Sequence, residues 1–429
     1  MKKIVASVGL IALASGMNAV QGQDITATPY KPWKVSAALR GFYDDNISTM
    51  PNGPDKVSSW GFQVDPGLDL NWQNEQTKVA VGYVYTFRYY DKKPIGNDVN
   101  YDQDHSFRAA FDHAFSERYQ IAVNDSFVIG QEPDFLRASS GQAFSDFQRV
   151  SGNNIRNDGS ITFDAVMTRI FSLELGYENQ YYNYADSGGN VVSPSTAGLL
   201  NRIDQSARLD TRWQVAPQTV GVIGYTFEQV AYTGNEVIGS LTGTGTDLFS
   251  QDRNSYQNKI YVGADHNFTP DFSGSLRAGG NVTDYYNNPG GSASETTPFV
   301  TANLKYIYTV ESSIEGGFSY DRTPIDIVSP SADSFVRDAD AVVVFAHISH
   351  RIMPDLSGSL IAQFQDTIFN GGQVDGETER YFMLGLDLEY RFNAYLAANL
   401  GYNYDKVNSD IIGRTYDRNR VYFGLKASY

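Results

Sequence analysis

Residues 60–72 read W-G-F-Q-V-D-P-G-L-D-L-N-W, and this alternation limits the fold more than any other feature of the chain. Trp60, Phe62, Val64, Pro66, Leu68, Leu70 and Trp72 fall on even positions, while Gly61, Gln63, Asp65, Gly67, Asp69 and Asn71 fall on odd ones. A strand turns successive side chains to opposite faces, so the segment has one greasy face and one wet face. The greasy face ends in tryptophan on both sides. An alternating segment of about 10 residues with aromatic ends is the unit of a transmembrane β-barrel, although a sandwich edge strand looks alike in isolation. Recurrence of the unit separates the two.

The unit recurs to the last residue. Candidate strands follow at 35–43, 60–72, 79–89, 107–115, 119–129, 161–167, 171–181, 207–215, 221–227, 260–268, 272–282, 298–308, 314–320, 342–352, 356–368, 382–392, 396–404 and 421–429. In the ninth, Val220 and Val222 compete with the odd positions for the greasy face. The total is about 18 strands, and single-chain bacterial barrels carry an even number. Connections alternate strictly between short ones, such as Thr269-Pro270-Asp271 and Met353-Pro354-Asp355, and long polar ones, such as 91–104, 130–157, 232–256 and 405–417. The Pro-Asp pairs fit tight turns. The fold expected is all-β: an antiparallel up-and-down transmembrane β-barrel with short periplasmic turns and long outer loops.

Met1-Lys2-Lys3 and the apolar run 4–14, followed by small residues, read as a signal peptide over 1–22; the run is short for a membrane anchor. A short periplasmic segment, 23–33, then leads into a barrel over 34–429. Mean hydropathy is −0.36, which is compatible with a barrel because half of each strand meets water. The net charge of −16 argues against nucleic acid as a partner. The chain has 0 cysteines, which excludes disulfides and thiolate metal sites.

Aromatics gather at the ends of the greasy faces, including Trp60, Trp72, Trp213, Phe392 and Tyr429, as two membrane girdles require. The last strand ends in an outward aromatic, Tyr429, and resembles the terminal signal that the barrel-assembly machinery reads. Tyr43-Asp44-Asp45-Asn46-Ile47 and Tyr416-Asp417-Arg418-Asn419-Arg420-Val421-Tyr422-Phe423-Gly424-Leu425 resemble the putative β-barrel porin 2 family. That resemblance implies an outer-membrane barrel, in some cases associated with surface-polysaccharide systems. The Pro-Glu-Phe-Gly-Gly stretch of the general porins is absent, so their constriction geometry does not carry over.

Parity turns Arg40, Lys78, Arg88, Arg108, Arg420 and Lys426 inward, on staves that closure would make neighbours. It also turns Asp164, Glu174, Glu178, Glu315, Asp321, Asp387 and Glu389 inward, mostly from later staves. Two arrangements fit: a basic wall facing an acidic wall across a pore, or a wet lumen of cancelling ion pairs. Phe135, Phe144 and Phe147 give the long third outer loop apolar material suited either to folding inward as a constriction or to an outer contact. The 5 histidines form no metal-binding pair, and no nucleophile elbow or phosphate loop is present. The reading is therefore a porin-like channel, without cofactor or metal, for passive diffusion of small hydrophilic solutes. Its expected contacts are outer-membrane lipid, lipopolysaccharide and the assembly machinery, with a homotrimer one arrangement open to it. The competing reading is a barrel with a structural or polysaccharide-export role and little open conductance.

Overall fold

The computed structural model describes residues 31–93, 99–130, 153–289, 293–332 and 334–429. The expected leader at 1–22 and the loop residues Phe135, Phe144 and Phe147 lie outside these. The strands are β1 (Trp33–Asp44), β2 (Ser59–Gln73), β3 (Thr77–Tyr90), β4 (Tyr101–Ala114), β5 (Tyr119–Gly130), β6 (Asn154–Val166), β7 (Phe171–Tyr184), β8 (Arg202–Ala216), β9 (Thr219–Tyr232), β10 (Val237–Ser240), β11 (Asp247–Phe249), β12 (Ser255–Thr269), β13 (Phe272–Tyr285), β14 (Ala293–Thr309), β15 (Ser312–Pro324), β16 (Asp338–Met353), β17 (Leu356–Asn370), β18 (Thr378–Arg391), β19 (Leu396–Ser409) and β20 (Tyr416–Ser428). All but β10 and β11, which form a separate hairpin, belong to one 18-stranded antiparallel sheet. β1 pairs with β2 on one side and β20 on the other, so the sheet closes on itself and has no free edge. The first stave begins at Trp33, one residue before the expected start of the barrel.

The alternation at 60–72 now has a physical cause. Trp60 is 67% exposed and Trp72 52%, with Phe62, Leu68 and Leu70 also exposed between them. The same holds around the wall, where Leu39, Ile223, Ile260, Leu276, Leu304, Leu400 and Phe423 are each at least half exposed. A continuous apolar belt of this kind suits acyl chains and would aggregate in water. Pro66 lies within the belt and lacks an N–H; the β2–β3 ladder steps from Val64↔Phe87 to Gly67↔Val84 and skips it. In β9 the competition resolves in favour of Ile223, which faces outward, while Val222 is buried on the lumen side opposite Arg212.

Strands run further at their outer ends than the apolar runs indicate: β4 starts at Tyr101 and β6 at Asn154. Above the lipid the ladder continues while both faces are polar, so no alternation marks it. The short connections all lie at one end. In two of them an asparagine closes the turn: Asn74 Oδ1 accepts from Thr77 N at 2.7 Å, and Asn393 Oδ1 from Tyr395 N at 2.8 Å.

The long connections carry structure of their own. A short helix α1 (Thr196–Leu200) lies between β7 and β8, capped by Ser195 Oγ, which accepts from Gly198 N at 2.8 Å. The β10–β11 hairpin and a single turn, Ser250–Arg253, fill the connection between β9 and β12.

Candidate functional site

The lumen wall is lined by ion pairs, several of them between neighbouring staves. At the seam, Arg418 of β20 meets Asp44 of β1 at 2.6 Å, and Arg420 meets Asp405 of β19 at 2.6 Å. Tyr381 and Tyr422 donate to Asp405 and Asp387 at 3.1 Å and 2.6 Å. Further round, Arg40 pairs with Asp65 of β2, which also accepts from Thr86 Oγ1 at 2.9 Å and Gln63 Nε2 at 2.8 Å. Arg88 pairs with Asp104 of β4 and donates to Gln63 at 3.1 Å. Arg108 lies 3.8 Å from Asp69.

A second ladder crosses β7 to β13. Glu174 holds Arg208 at 2.5 Å and Arg212 at 2.9 Å; Arg212 reaches Asp265 at 2.7 Å, and Asp265 reaches Arg277 at 2.7 Å. Tyr261 donates to Asp210 at 2.6 Å across β9. That contact requires glycine at 224, because a Cβ there would lie 2.2 Å from Asp210 and 2.3 Å from the Tyr261 ring. Lys259 joins Glu228 at 3.1 Å and Asp321 at 2.6 Å.

By ladder register, Arg40, Lys78, Arg88, Arg108, Arg420 and Lys426, and Asp164, Glu174, Glu178, Glu315, Asp321, Asp387 and Glu389, stand on the face opposite the exposed apolar belt. They do not form opposed walls of single sign. Arg208, Arg212, Arg277 and Lys259 stand among the acidic staves, and Asp44, Asp65, Asp104 and Asp405 among the basic ones. Of the acidic set, Asp164 is in register with Glu174, Glu178 accepts from Gln180 at 2.8 Å, Glu315 lies 4.0 Å from Lys305, and Glu389 lies 3.8 Å from Arg391. Lys78 lies in register with Gln73 and Asp112, and Lys426 with Ala38 and Ala397. The girdle residues Trp213, Phe392 and Tyr429 are exposed, and Trp213 packs on Phe171 with ring centroids 4.5 Å apart.

The histidines take local bonds. His113 and His266 each meet a threonine hydroxyl at 2.8 Å, His350 meets the Tyr308 hydroxyl at 2.8 Å, and His347 faces the lumen in register with Glu315. Among the described residues no group of three or more His, Asp or Glu side chains is placed to hold a metal ion.

Over the long-loop mouth, three connections share an apolar core that the sequence reading did not foresee. Ile238 and Leu248 of the β10–β11 hairpin pack with Phe335, Val328, Leu241 and Leu199. Leu199 precedes β8 and Val328 follows β15, so these segments lean together over the mouth from well-separated staves. Arg253 ties them. It is 1% exposed, lies 4.1 Å over the Tyr232 ring, and donates to the carbonyls of Leu199 at 2.7 Å, Gly198 at 3.2 Å and Ile325 at 3.3 Å. Burial pushes this guanidinium below its ordinary pKa. Arg414, from the β19–β20 connection, joins Asp326 at 2.9 Å and Glu379 at 2.7 Å. Burial alone would lower its pKa, and the two carboxylates hold it above its ordinary value instead.

A closed wall with an apolar belt outside and a charged, hydrogen-bonded face inside defines a porin-like barrel, integral to the outer membrane. Residues 339–429 match the family model described as putative beta-barrel porin 2. No curated protein matches. Among solved structures, OpdK of Pseudomonas aeruginosa with vanillate shares 11% identity at a TM-score of 0.47, with 92% of this chain and 99% of that one covered. A BenF-like porin from Pseudomonas fluorescens Pf-5 shares 11% identity at 0.47, with 93% and 99% covered. A mutant of the ferric enterobactin receptor of P. aeruginosa shares 9% at 0.43, with 92% and 81% covered.

Proposed function

We propose that the protein is a diffusion channel for small hydrophilic solutes, with its bore set at the outer mouth and its selectivity by the lumen ladders. The observation that carries this reading is the inward face itself. Stave after stave turns charged and hydrogen-bonding groups toward a space that a wall of 18 strands is wide enough to fill with water. Passive passage needs no cofactor and no catalytic group; paired charges leave the wall polar without a strong field of one sign. Reconstitution in planar bilayers, with liposome swelling across a series of neutral sugars, tests this. Ohmic conductance with a size cut-off supports it, and a barrel that is folded yet silent in both assays removes it.

The apolar core over the mouth favours a second reading, in which the barrel has a structural or export role and conducts little. A silent wild type whose conductance appears once Arg253 is removed would select that reading.

A further inference from the structure

Lysine and arginine are divided unevenly between the two faces of the wall. By parity and register the strand cations turn to the lumen, as Arg40, Lys259 and Arg420 do; among the described residues only Arg322, Arg380 and Lys406 turn outward. Arg322 is almost fully buried, between Glu295 at 2.7 Å and Asp338 at 3.3 Å. Arg380 and Lys406 are exposed and stand on adjacent staves, β18 and β19. Arg380 is in register with Asn408, and Lys406 with Phe382, so the two cations are diagonal neighbours one pleat apart. Side chains of that length meet across such a diagonal.

The pair sits at the outer edge of the belt. Tyr390 and Leu396 mark the periplasmic edge on these staves, 44% and 38% exposed. Arg380 is about 10 residues from Tyr390 along β18, and Lys406 about 10 from Leu396 along β19; at ~3.4 Å per residue and a tilt of ~40° that is roughly 26 Å along the membrane normal, one belt height. Phe382 and Tyr404 are the last outward aromatics below the two cations. Both cations keep donors for an outside partner. Arg380 Nε meets Asp366 at 3.3 Å, yet 54% of the side chain stays exposed. Asp417, opposite Lys406 in the ladder, lies 3.5 Å from Lys56 instead.

We propose that Arg380 and Lys406 bind the phosphate of an outer-leaflet lipid, whose acyl chains lie against Phe382 and the belt below it. The site belongs to the outer face of the wall and does not depend on conduction through the lumen. At that height the wall's neighbour is the headgroup layer. A phosphate offers several acceptor oxygens, enough for the arginine fork and the ammonium together. The chain carries a net charge of −16, so most of its surface repels an anion, and these two staves present the exception. The rival arrangement is a divalent cation bridging the lipid to Asp366 and Asp417.

The test uses the folded barrel in a neutral detergent, with diphosphoryl lipid A as the probe and native mass spectrometry in EDTA as the readout. The wild type should retain one lipid A. Arg380→Gln with Lys406→Gln should weaken retention at least tenfold, and Arg380→Lys with Lys406→Arg should not. Either single glutamine variant should show part of the loss, so the outcome does not hang on the double variant folding. Lys92→Gln, which removes an exposed cation from another sector, should leave retention unchanged. Undiminished retention in the double glutamine variant overturns the proposal, as does an equal loss in Lys92→Gln. Wild-type binding that EDTA abolishes assigns the lipid to bridging cations and overturns it too. Displacement of lipid A by equimolar inorganic phosphate would make the ligand a free anion, with the same consequence.

Discussion

Arg418 and Asp44 hold the seam of the barrel together: Arg418 Nη2 and Nε donate to one oxygen of Asp44 at 2.6 Å and 2.9 Å, joining the last strand to the first. Both side chains are almost fully buried. Above them Asn419 N donates to Asp45 at 2.7 Å, so the seam is tied at two successive positions. Removing one partner of a buried pair is costly because the other charge keeps its desolvation and loses its compensation. Asp44→Ala should therefore lower barrel stability by about 3 kcal/mol. Urea titration of the lipid-refolded protein measures this, and a loss below ~1 kcal/mol would mean that the seam rests on its backbone ladder alone.

Arg253 should act on the outer mouth and leave the wall intact. Its carbonyl partners belong to α1 and to the segment after β15, so Arg253→Met removes three charge-assisted bonds and retains apolar bulk. Hydrogen bonds to charged groups are worth about 1.5–3 kcal/mol each at most, enough to release loops that are only locally stable. The expected result is faster proteolysis after 185–201 or 325–337, unchanged resistance of the barrel to detergent, and higher single-channel conductance. Conductance equal to wild type, with the loops cut faster, would show that the cap does not narrow the path.

The lumen pairs predict a direction for ion selectivity. Glu174 neutralises parts of both Arg208 and Arg212. Glu174→Gln keeps the shape and leaves a net positive increment at that place on the wall. A unit charge about 4 Å from an ion is worth about 1 kcal/mol in water, which is a change of roughly fivefold in that ion's permeability. The zero-current potential across a salt gradient should move toward anions. Arg420→Gln, which leaves Asp405 with less compensation, should move it toward cations. Equal shifts of one sign from both variants would disconnect selectivity from these pairs.

Much of this architecture is written in two-residue alternation, and the limits of that signal mark what it leaves out. Parity alone turns Leu39 out and Arg40 in, because lipid on one side and water on the other impose the period directly. Parity does not say which inward residues touch, since that depends on ladder register between staves far apart in sequence, such as Asp265 with Arg212. One clue was available: Arg208, Asp210 and Arg212 alternate in sign along one face, which already points to internal pairing on a stave grouped with the acidic ones. The core over the mouth had no such clue. Leu199, Ile238 and Val328 come from separate connections without periodicity, and only closure of the wall brings them together. The outer ends of β4 and β6 were missed for the complementary reason that polar residues on both faces erase the alternation.

The assignment of faces makes the strictest demand on neighbouring residues. Leu304 and Asn303 on β14 are adjacent in sequence, yet Leu304 is 51% exposed on the outer face, while Asn303 lies in register with Ser275 and Gly317 on the lumen side. Lysine at 304 must leave its ammonium in or near hydrocarbon, which costs about 2–4 kcal/mol near the midplane of a barrel and less toward the interfaces. Lysine at 303 places the same charge in a wet lumen, where Asp and Glu side chains abound and the cost should stay below about 1 kcal/mol. Leu304→Lys should accordingly fold into vesicles with a clear loss of stability, and Asn303→Lys should fold almost as the wild type. Urea titration in lipid vesicles of both variants decides this, and equal losses at the two positions would mean that the two faces of β14 do not meet different solvents.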